Sequence, residues 1–208
     1  MKFVLLVEGY TEQKAIPAFL KRWLDVRLNQ RVGVQIVRFD GWPELISDLP
    51  DRAQMYLESP KAAEIIAVIA LLDLYGPSIY PNHLESADQR LLWATKELES
   101  RVGRERFKVF FAVHEVEAWL LSNSELFPTV IRKALPAKIT YPETVNFDEP
   151  PGKLLDRLYK DRLRRKYKKL TDGKDLFDQL DPQTVYNKCP YFRQMMDTML
   201  QLAKDAGQ

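Results

Sequence analysis

Ile65-Ile-Ala-Val-Ile-Ala-Leu-Leu72 narrows the choice of fold more than any other stretch: eight consecutive apolar residues, rich in β-branched side chains. A membrane span needs about 20 such residues. Asp73 and then Gly76-Pro77 close the run. A short β-forming run with no polar alternation predicts a strand buried on both faces, the central position of an α/β sheet. Phe3 to Val7 is a second run of this kind, ending on Glu8-Gly9. Val34–Phe39 and Phe107–Val113 read as two further strands.

Helical patterns fill the intervals. Ile16, Phe19, Leu20, Trp23 and Leu24 recur at helical spacing. Thr11 is placed to cap that helix, and Pro17 is expected near its start, where a missing N–H does least harm. Helices are also expected at Pro43–Leu57, Leu84–Val102 and His114–Ser122. The alternation β-α-β-α-β-α-β-α predicts an α/β fold: a four-stranded, mostly parallel sheet with helices on both faces. Beyond Ser124, prolines 128, 136, 142, 150 and 151 break the chain into short pieces, and helices are expected at Gly152–Lys168, Lys174–Leu180 and Phe192–Ala206. The expected organisation is an α/β domain over residues 1–124 and a helical C-terminal extension over 125–208.

Composition excludes several classes. The net charge is +2 in 208 residues, and Cys189 is the one cysteine, so neither an internal disulfide nor a cysteine zinc cluster can form. Cys189 itself reads as structural. Met1-Lys2 enters a strand directly, without a signal-peptide pattern. A cytoplasmic protein without membrane contact is expected.

The chemistry concentrates where strands end. Glu8 closes the first strand and Glu12 lies in the first turn of the next helix. Asp73 closes the third strand, and His114-Glu115-Val116-Glu117 follows the fourth. Parallel strands carry their carboxyl ends to one edge, so these acids converge. Two carboxylates ~4 Å apart repel by about 4 kcal/mol at an effective dielectric near 20. Either one protonates or a cation sits between them. A single such acid is ordinary turn or helix-start chemistry; three sets favour a divalent site for Mg²⁺ or Mn²⁺. Whether Glu115 or Glu117 completes it stays open, because positions two apart share a face on a strand but not on a helix. His114 is a candidate general base, water-orienting group or phosphate contact, against the alternative of a buried histidine bonded to backbone.

Between Gly152 and Lys174, ten Lys/Arg stand against three Asp. Lys153, Arg162, Arg164, Arg165, Lys168 and Lys169 are the candidate nucleic-acid contacts, with Tyr159 and Tyr167 as candidate stacking partners for unpaired bases. A solvated helix face is the plainer reading of such a run.

The Glu-Gly-x-Thr-Glu turn after the first strand, with Asp73 after a later apolar strand, resembles the Toprim domain of topoisomerases, primases and OLD-type nucleases. Glu8 and Glu12, four residues apart, are most similar to the OLD-type pattern. His-Glu-x-Glu-Ala-Trp-Leu at 114–120, Pro-Glu-Thr-x-Asn at 142–146, Pro-x-Lys at 151–153, Lys169 with Gly173, and Cys-Pro-x-Phe at 189–192 resemble the bacterial domain-of-unknown-function family 4276. These resemblances imply a Toprim-like (Rossmann-like) fold and a metal-dependent nuclease of DNA or RNA. Glu8, Glu12, Asp73 and Glu115 or Glu117 would ligate Mg²⁺ or Mn²⁺, with Glu8, Asp73, His114 and Glu117 catalytic. They further imply phage-defence or mobile-element loci and an ABC/SMC-type ATPase as partner. One departure stands out: the Toprim pattern carries Asp-x-Asp, where this chain has Asp73-Leu74-Tyr75. That absence motivates an alternative, a non-catalytic assembly or nucleotide-sensing partner of such an ATPase, docking through Met195, Met196, Met199 and Leu200.

Overall fold

Side chains alternate along the central strands and sort the chain into two cores. Phe3, Leu5 and Val7 point to one face of the sheet, and Val4 and Leu6 to the other; Ile69 and Leu71 divide from Val68, Ala70 and Leu72 in the same way. Both faces are therefore covered, which explains why these strands read as unbroken apolar runs. In the computed structural model, residues 1–136, 139–143 and 149–208 are described. The strands are β1 (Lys2–Val7), β2 (Gly33–Arg38), β3 (Ile65–Asp73) and β4 (Phe107–Ala112). All pair in parallel, in the order β2-β1-β3-β4. The α/β fold with a four-stranded parallel sheet is the expected one.

Helices α1 (Tyr10–Leu24), α2 (Trp42–Leu57) and α3 (Ala87–Val102) connect the strands. Two details of α1 differ from expectation. Its N-cap is Gly9, and Thr11 lies inside the first turn rather than capping it. Pro17 sits at the eighth of fifteen positions, not near the start. It is half-buried, so water can reach the carbonyl that its ring leaves without an N–H donor.

The C-terminal half begins with two short helices, α4 (Glu117–Leu120) and α5 (Thr129–Arg132). The helix expected over 114–122 shrinks to α4, and His114 is excluded from it by a positive φ of 70°, which no helix accepts. Then come α6 (Pro151–Leu163), a π-helical turn (Lys169–Gly173), α7 (Lys174–Gln179), α8 (Pro182–Lys188) and α9 (Pro190–Asp205). Helix α6 stops at Arg164, whose φ of 56° is left-handed, so the basic run is not one continuous helix. Helices α7 and α8 pack on α1, and α9 packs on β3 and β4.

Glu143 ties this half together. It is buried and accepts from the backbone N–H of Tyr191 (2.7 Å) and Phe192 (3.2 Å) at the start of α9, and from Trp119 Nε1 (3.1 Å) on α4. Burial pushes its carboxyl up to about 7, outweighing those three donors. Thr144 and Asn146 of the same motif lie outside the described residues.

Met195, Met196 and Met199 are fully enclosed in the core on the α1 face, with Leu200 packed against it. They are not an open docking face: α9 turns its methionines inward, into the core that also holds Trp119 and Phe19. Trp119, Leu120 and Leu121 belong to the same core, as expected. Cys189 is buried, and burial raises its thiol, consistent with a structural role. Among the described residues, no helix is long and apolar enough to cross a membrane.

Candidate functional site

The strand order reverses direction between β1 and β3, and crevices at such reversals are where open α/β sheets take ligands. Glu8 follows β1, and Asp73 ends β3. The backbone N–H of Asp73 donates to Glu8 Oε1 at 2.9 Å, so Glu8 spans the reversal. Val116 N–H in turn donates to Asp73 Oδ1 at 3.2 Å, which draws the segment after β4 against the same point.

Glu12 is buried at 6% exposure and folds back over the start of its own helix. This explains Gly9. Its φ of −133° is open to any residue, so no left-handed turn requires a glycine there. A Cβ at Gly9 would instead lie 2.7 Å from Glu12 Oε2. Gly9→Ala is accordingly expected to push the Glu12 carboxylate out of the cluster while leaving stability, measured by thermal melting, within about 1 kcal/mol of wild type.

The segment after β4 supplies two more carboxylates with different fates. Glu115 Oε2 accepts from the backbone N–H of Gly152 at 2.7 Å, holding the first turn of α6. Glu117 is completely buried, and Lys169 Nζ stands 3.1 Å from its Oε1. Glu117 Oε2 has no hydrogen-bond partner among the described residues. Neighbouring Thr11 Oγ1 and the Tyr167 hydroxyl are likewise buried and unpartnered there. Gly152 and Gly173 make room for these groups. A Cβ at Gly152 would meet Glu115 Oε2 at 2.9 Å and Lys169 Nζ at 3.2 Å; one at Gly173 would meet the Tyr167 hydroxyl at 2.8 Å. His114 lies between β4 and Glu115 on its left-handed backbone, a conformation that costs about 1–3 kcal/mol and concentrates at working sites.

Five carboxylates thus share one electrostatic neighbourhood. Burial first, then mutual repulsion, raises Asp73 well above the usual carboxylate range, with Glu12, Glu8, Glu117 and Glu115 all contributing. Burial pushes Glu8 up to about 7 despite the Asp73 N–H. It pushes Glu117 to about 7 despite Lys169, and raises Glu12 as well. Burial lowers the Lys169 ammonium, but Glu117, Glu115 and Asp73 more than offset that and raise it overall. Acids driven this far from their ordinary range mark a cluster short of positive charge.

A cavity of about 570 Å³ opens beside Glu115, between α6 and the π-helical turn. Lys153, Arg157 and Lys160 line it from one side of α6, and Lys166 and Lys169 from the segment beyond. Only Lys153 and Lys169 of the expected nucleic-acid contacts are here. Arg162, Arg164 and Lys168 are exposed outside the lining. Arg165 forms a two-pronged pair with Asp172 (2.7 and 2.8 Å) and covers the Tyr159 ring. The spacing 153, 157, 160 was a signal for the true lining: those positions share a helix face opposite Leu154, Leu155 and Leu158, which enter the core. Arg157 pairs with Glu149, and Lys160 with Asp156 at 2.5 Å. Tyr159 and Tyr167 cannot stack on bases as expected. They are 2% and 7% exposed and pack edge-to-face on each other, 5.3 Å apart.

The donor set fits a hard divalent cation. It consists of carboxylate oxygens, and one of them, Glu117 Oε2, is buried without a partner. Among the described residues, no three His, Cys, Asp or Glu side chains already stand at metal-holding spacing. The Lys169 ammonium is the positive charge beside Glu117 instead.

A family model described as "Domain of unknown function (DUF4276)" matches residues 7–200. No curated protein matches the chain. Among solved structures, the C-terminal region of the Xanthomonas campestris pv. campestris OLD protein is 19% identical over 99% of this chain and 98% of that one, with a TM-score of 0.49. The C-terminal region of the Burkholderia pseudomallei OLD protein is 18% identical over 98% of each chain, with a TM-score of 0.48.

Proposed function

The chain belongs to the family described as a domain of unknown function, DUF4276, and from that footing we propose that it is a nuclease dependent on Mg²⁺ or Mn²⁺ that hydrolyses nucleic-acid phosphodiesters. One observation carries this reading: the carboxylate cluster at the reversal point of the sheet adjoins, at Glu115 and Lys169, a cavity whose lining holds five cationic side chains against Glu115, Asp156 and Asp161. An acidic cluster alone would repel a phosphate. Next to a lysine-lined cavity, it needs only a divalent cation to become a phosphate site.

Glu8, Glu12, Asp73 and Glu117 are the residues that would hold the metal. Glu117 is the better ligand of the two after β4, because its Oε2 is buried without a hydrogen-bond partner among the described residues. A bound divalent ion supplies a Lewis acid for the phosphoryl oxygens. Lys153 and Lys166 grip the flanking backbone by charge. His114, next to Glu115 in the chain, would be the candidate to take a proton from the attacking water. Lys169 reaches both the cluster and the cavity, and so is available to the scissile phosphate.

Calorimetric titration of Mn²⁺ and Mg²⁺ into wild type and Glu8→Gln tests this reading. Wild type is expected to bind, and Glu8→Gln to bind at least ~10-fold more weakly, the loss of one charged ligand being worth more than about 1.4 kcal/mol. A folded wild type that binds neither ion, with or without an oligonucleotide, would remove the metal from the proposal.

A further inference from the structure

The buried pair Tyr159 and Tyr167 leaves the site without the stacking residues expected of it, yet two other tyrosines stand at its rim. Tyr10 and Tyr75 are 52% and 53% exposed. Each lies two residues beyond an acid of the cluster, Tyr10 after Glu8 and Tyr75 after Asp73. Their strands, β1 and β3, are adjacent and parallel, so both residues sit at the edge where the acids converge. Tyr75 is held there by its N–H, which donates to His114 O at 3.1 Å. Tyr10 is backed by Arg38 from the end of β2, whose guanidinium lies 4.1 Å from the ring centre. The order of the edge is then Arg38 and Tyr10, Tyr75, and finally the β4 end with Glu115 and the lysine-lined cavity.

Single exposed aromatics are commonplace on protein surfaces and need no explanation. Two of them flanking both reversal-point acids, one already stacked on an arginine, form a different arrangement. Rings of this kind, beside a track of positive charge, hold unpaired bases by stacking, with no demand on sequence because every base has a π-face. A paired duplex keeps its bases stacked on each other and offers these rings none. The lysines of the cavity carry no such preference, since they meet phosphates common to both forms.

We infer that Tyr10 and Tyr75, with Arg38 supporting Tyr10, form a base-stacking platform, and that the substrate is single-stranded nucleic acid. This rests on the nuclease reading and narrows its substrate class.

The test is binding of a labelled single-stranded oligonucleotide and of a blunt duplex of the same length, by fluorescence anisotropy without added metal, so that no strand is cut. Wild type is expected to prefer the single strand. Tyr10→Leu and Tyr75→Leu should each weaken single-strand binding by roughly 5- to 10-fold, the scale of one stacked base, and leave the duplex unchanged. Tyr10→Trp and Tyr75→Trp should restore it. Lys153→Ala should weaken both nucleic acids alike and flatten the salt dependence. Both rings are more than half in solvent, so circular dichroism should find the leucine variants folded. Tyrosine variants that bind the single strand as wild type does, or that lose both forms equally, would overturn the platform while Lys153-dependent binding keeps the nuclease reading. A wild type that binds neither nucleic acid at any salt would overturn the two together.

Discussion

Lys169→Met is expected to lower the melting temperature of the metal-free protein and, at the same time, to tighten its grip on Mn²⁺. The two effects have one cause. Lys169 is the cation facing Glu117, and the carboxyls of Glu8, Glu12, Glu115 and Asp73 are also within its field. Removing one partner of a fully buried pair costs about 3–5 kcal/mol. Here Glu117 is fully buried but the Lys169 side chain is 48% exposed, so solvent screening brings the loss to about 1–3 kcal/mol. For a chain of this size each 1 kcal/mol moves melting by about 2–4 °C. The same ammonium repels an incoming divalent ion, so its removal should strengthen Mn²⁺ binding by roughly 10-fold. Melting in chelator, melting in Mn²⁺ and calorimetry together give the answer. A variant with unchanged metal affinity would confine Lys169 to the phosphate cavity.

The sign of the pH dependence follows from the same charges. The folded-state carboxyls of Glu8 and Glu117 are raised to about 7 from an ordinary 4.5. Their contribution to the stability of the metal-free chain is therefore complete below about pH 4.5 and lost as pH rises through about 7. In Lys169→Met, Glu117 loses the one charge that lowers its pKa most. The destabilisation should accordingly be larger at pH 8 than at pH 5.5, where protonation of Glu117 removes the unpaired charge.

Which parts of this site could be read without coordinates depends on the range of the interaction involved. Ile65–Leu72 and Phe3–Val7 announced themselves as doubly buried strands because burial on both faces leaves no polar residue in the run. The convergence of Glu8, Asp73 and the acids after the fourth strand followed from that, since parallel strands end at one edge, whereas the choice between Glu115 and Glu117 did not. Gly9 is ambiguous in the sequence because two different physical demands select glycine, a positive φ and a close approach; here the approach is Glu12. The basic run 160–169 misled for a similar reason. Read as one helix, it places Arg162, Arg165 and Lys168 beside Lys169. Arg164 breaks the helix with a left-handed φ, which composition does not announce, and redirects Lys166 and Lys169 to the cavity while Arg165 turns to Asp172. The methionines of α9 were ambiguous because an apolar stripe looks the same whether it meets this chain or another. Their burial against Trp119 and Phe19 is a tertiary fact.

Asp73→Asn is expected to stabilise the protein and to abolish its cleavage of nucleic acid. The surroundings of Asp73 disfavour its charge: burial raises its carboxyl, and four neighbouring glutamates raise it further. Asparagine keeps the carbonyl that receives Val116 N–H and removes the charge. The metal-free variant should therefore melt above wild type at pH 8, where ionising Asp73 is most costly. The difference should shrink toward pH 5, because protonation of wild-type Asp73 removes the charge that asparagine lacks. Activity should move the opposite way. An amide is a poorer ligand for a hard divalent ion, and the negative charge that draws the ion to the reversal point is lost, so cleavage in Mn²⁺ should fall by about 10³-fold or more. Opposed signs are what separate a working acid from a structural one: a carboxylate retained for the fold would lose stability on substitution, whereas one retained for its charge makes the fold worse by being there. Melting at the two pH values, set beside single-strand cleavage, distinguishes the cases. An Asp73→Asn protein that is less stable than wild type at pH 8, or that still cleaves at the wild-type rate, would return Asp73 to the structural class.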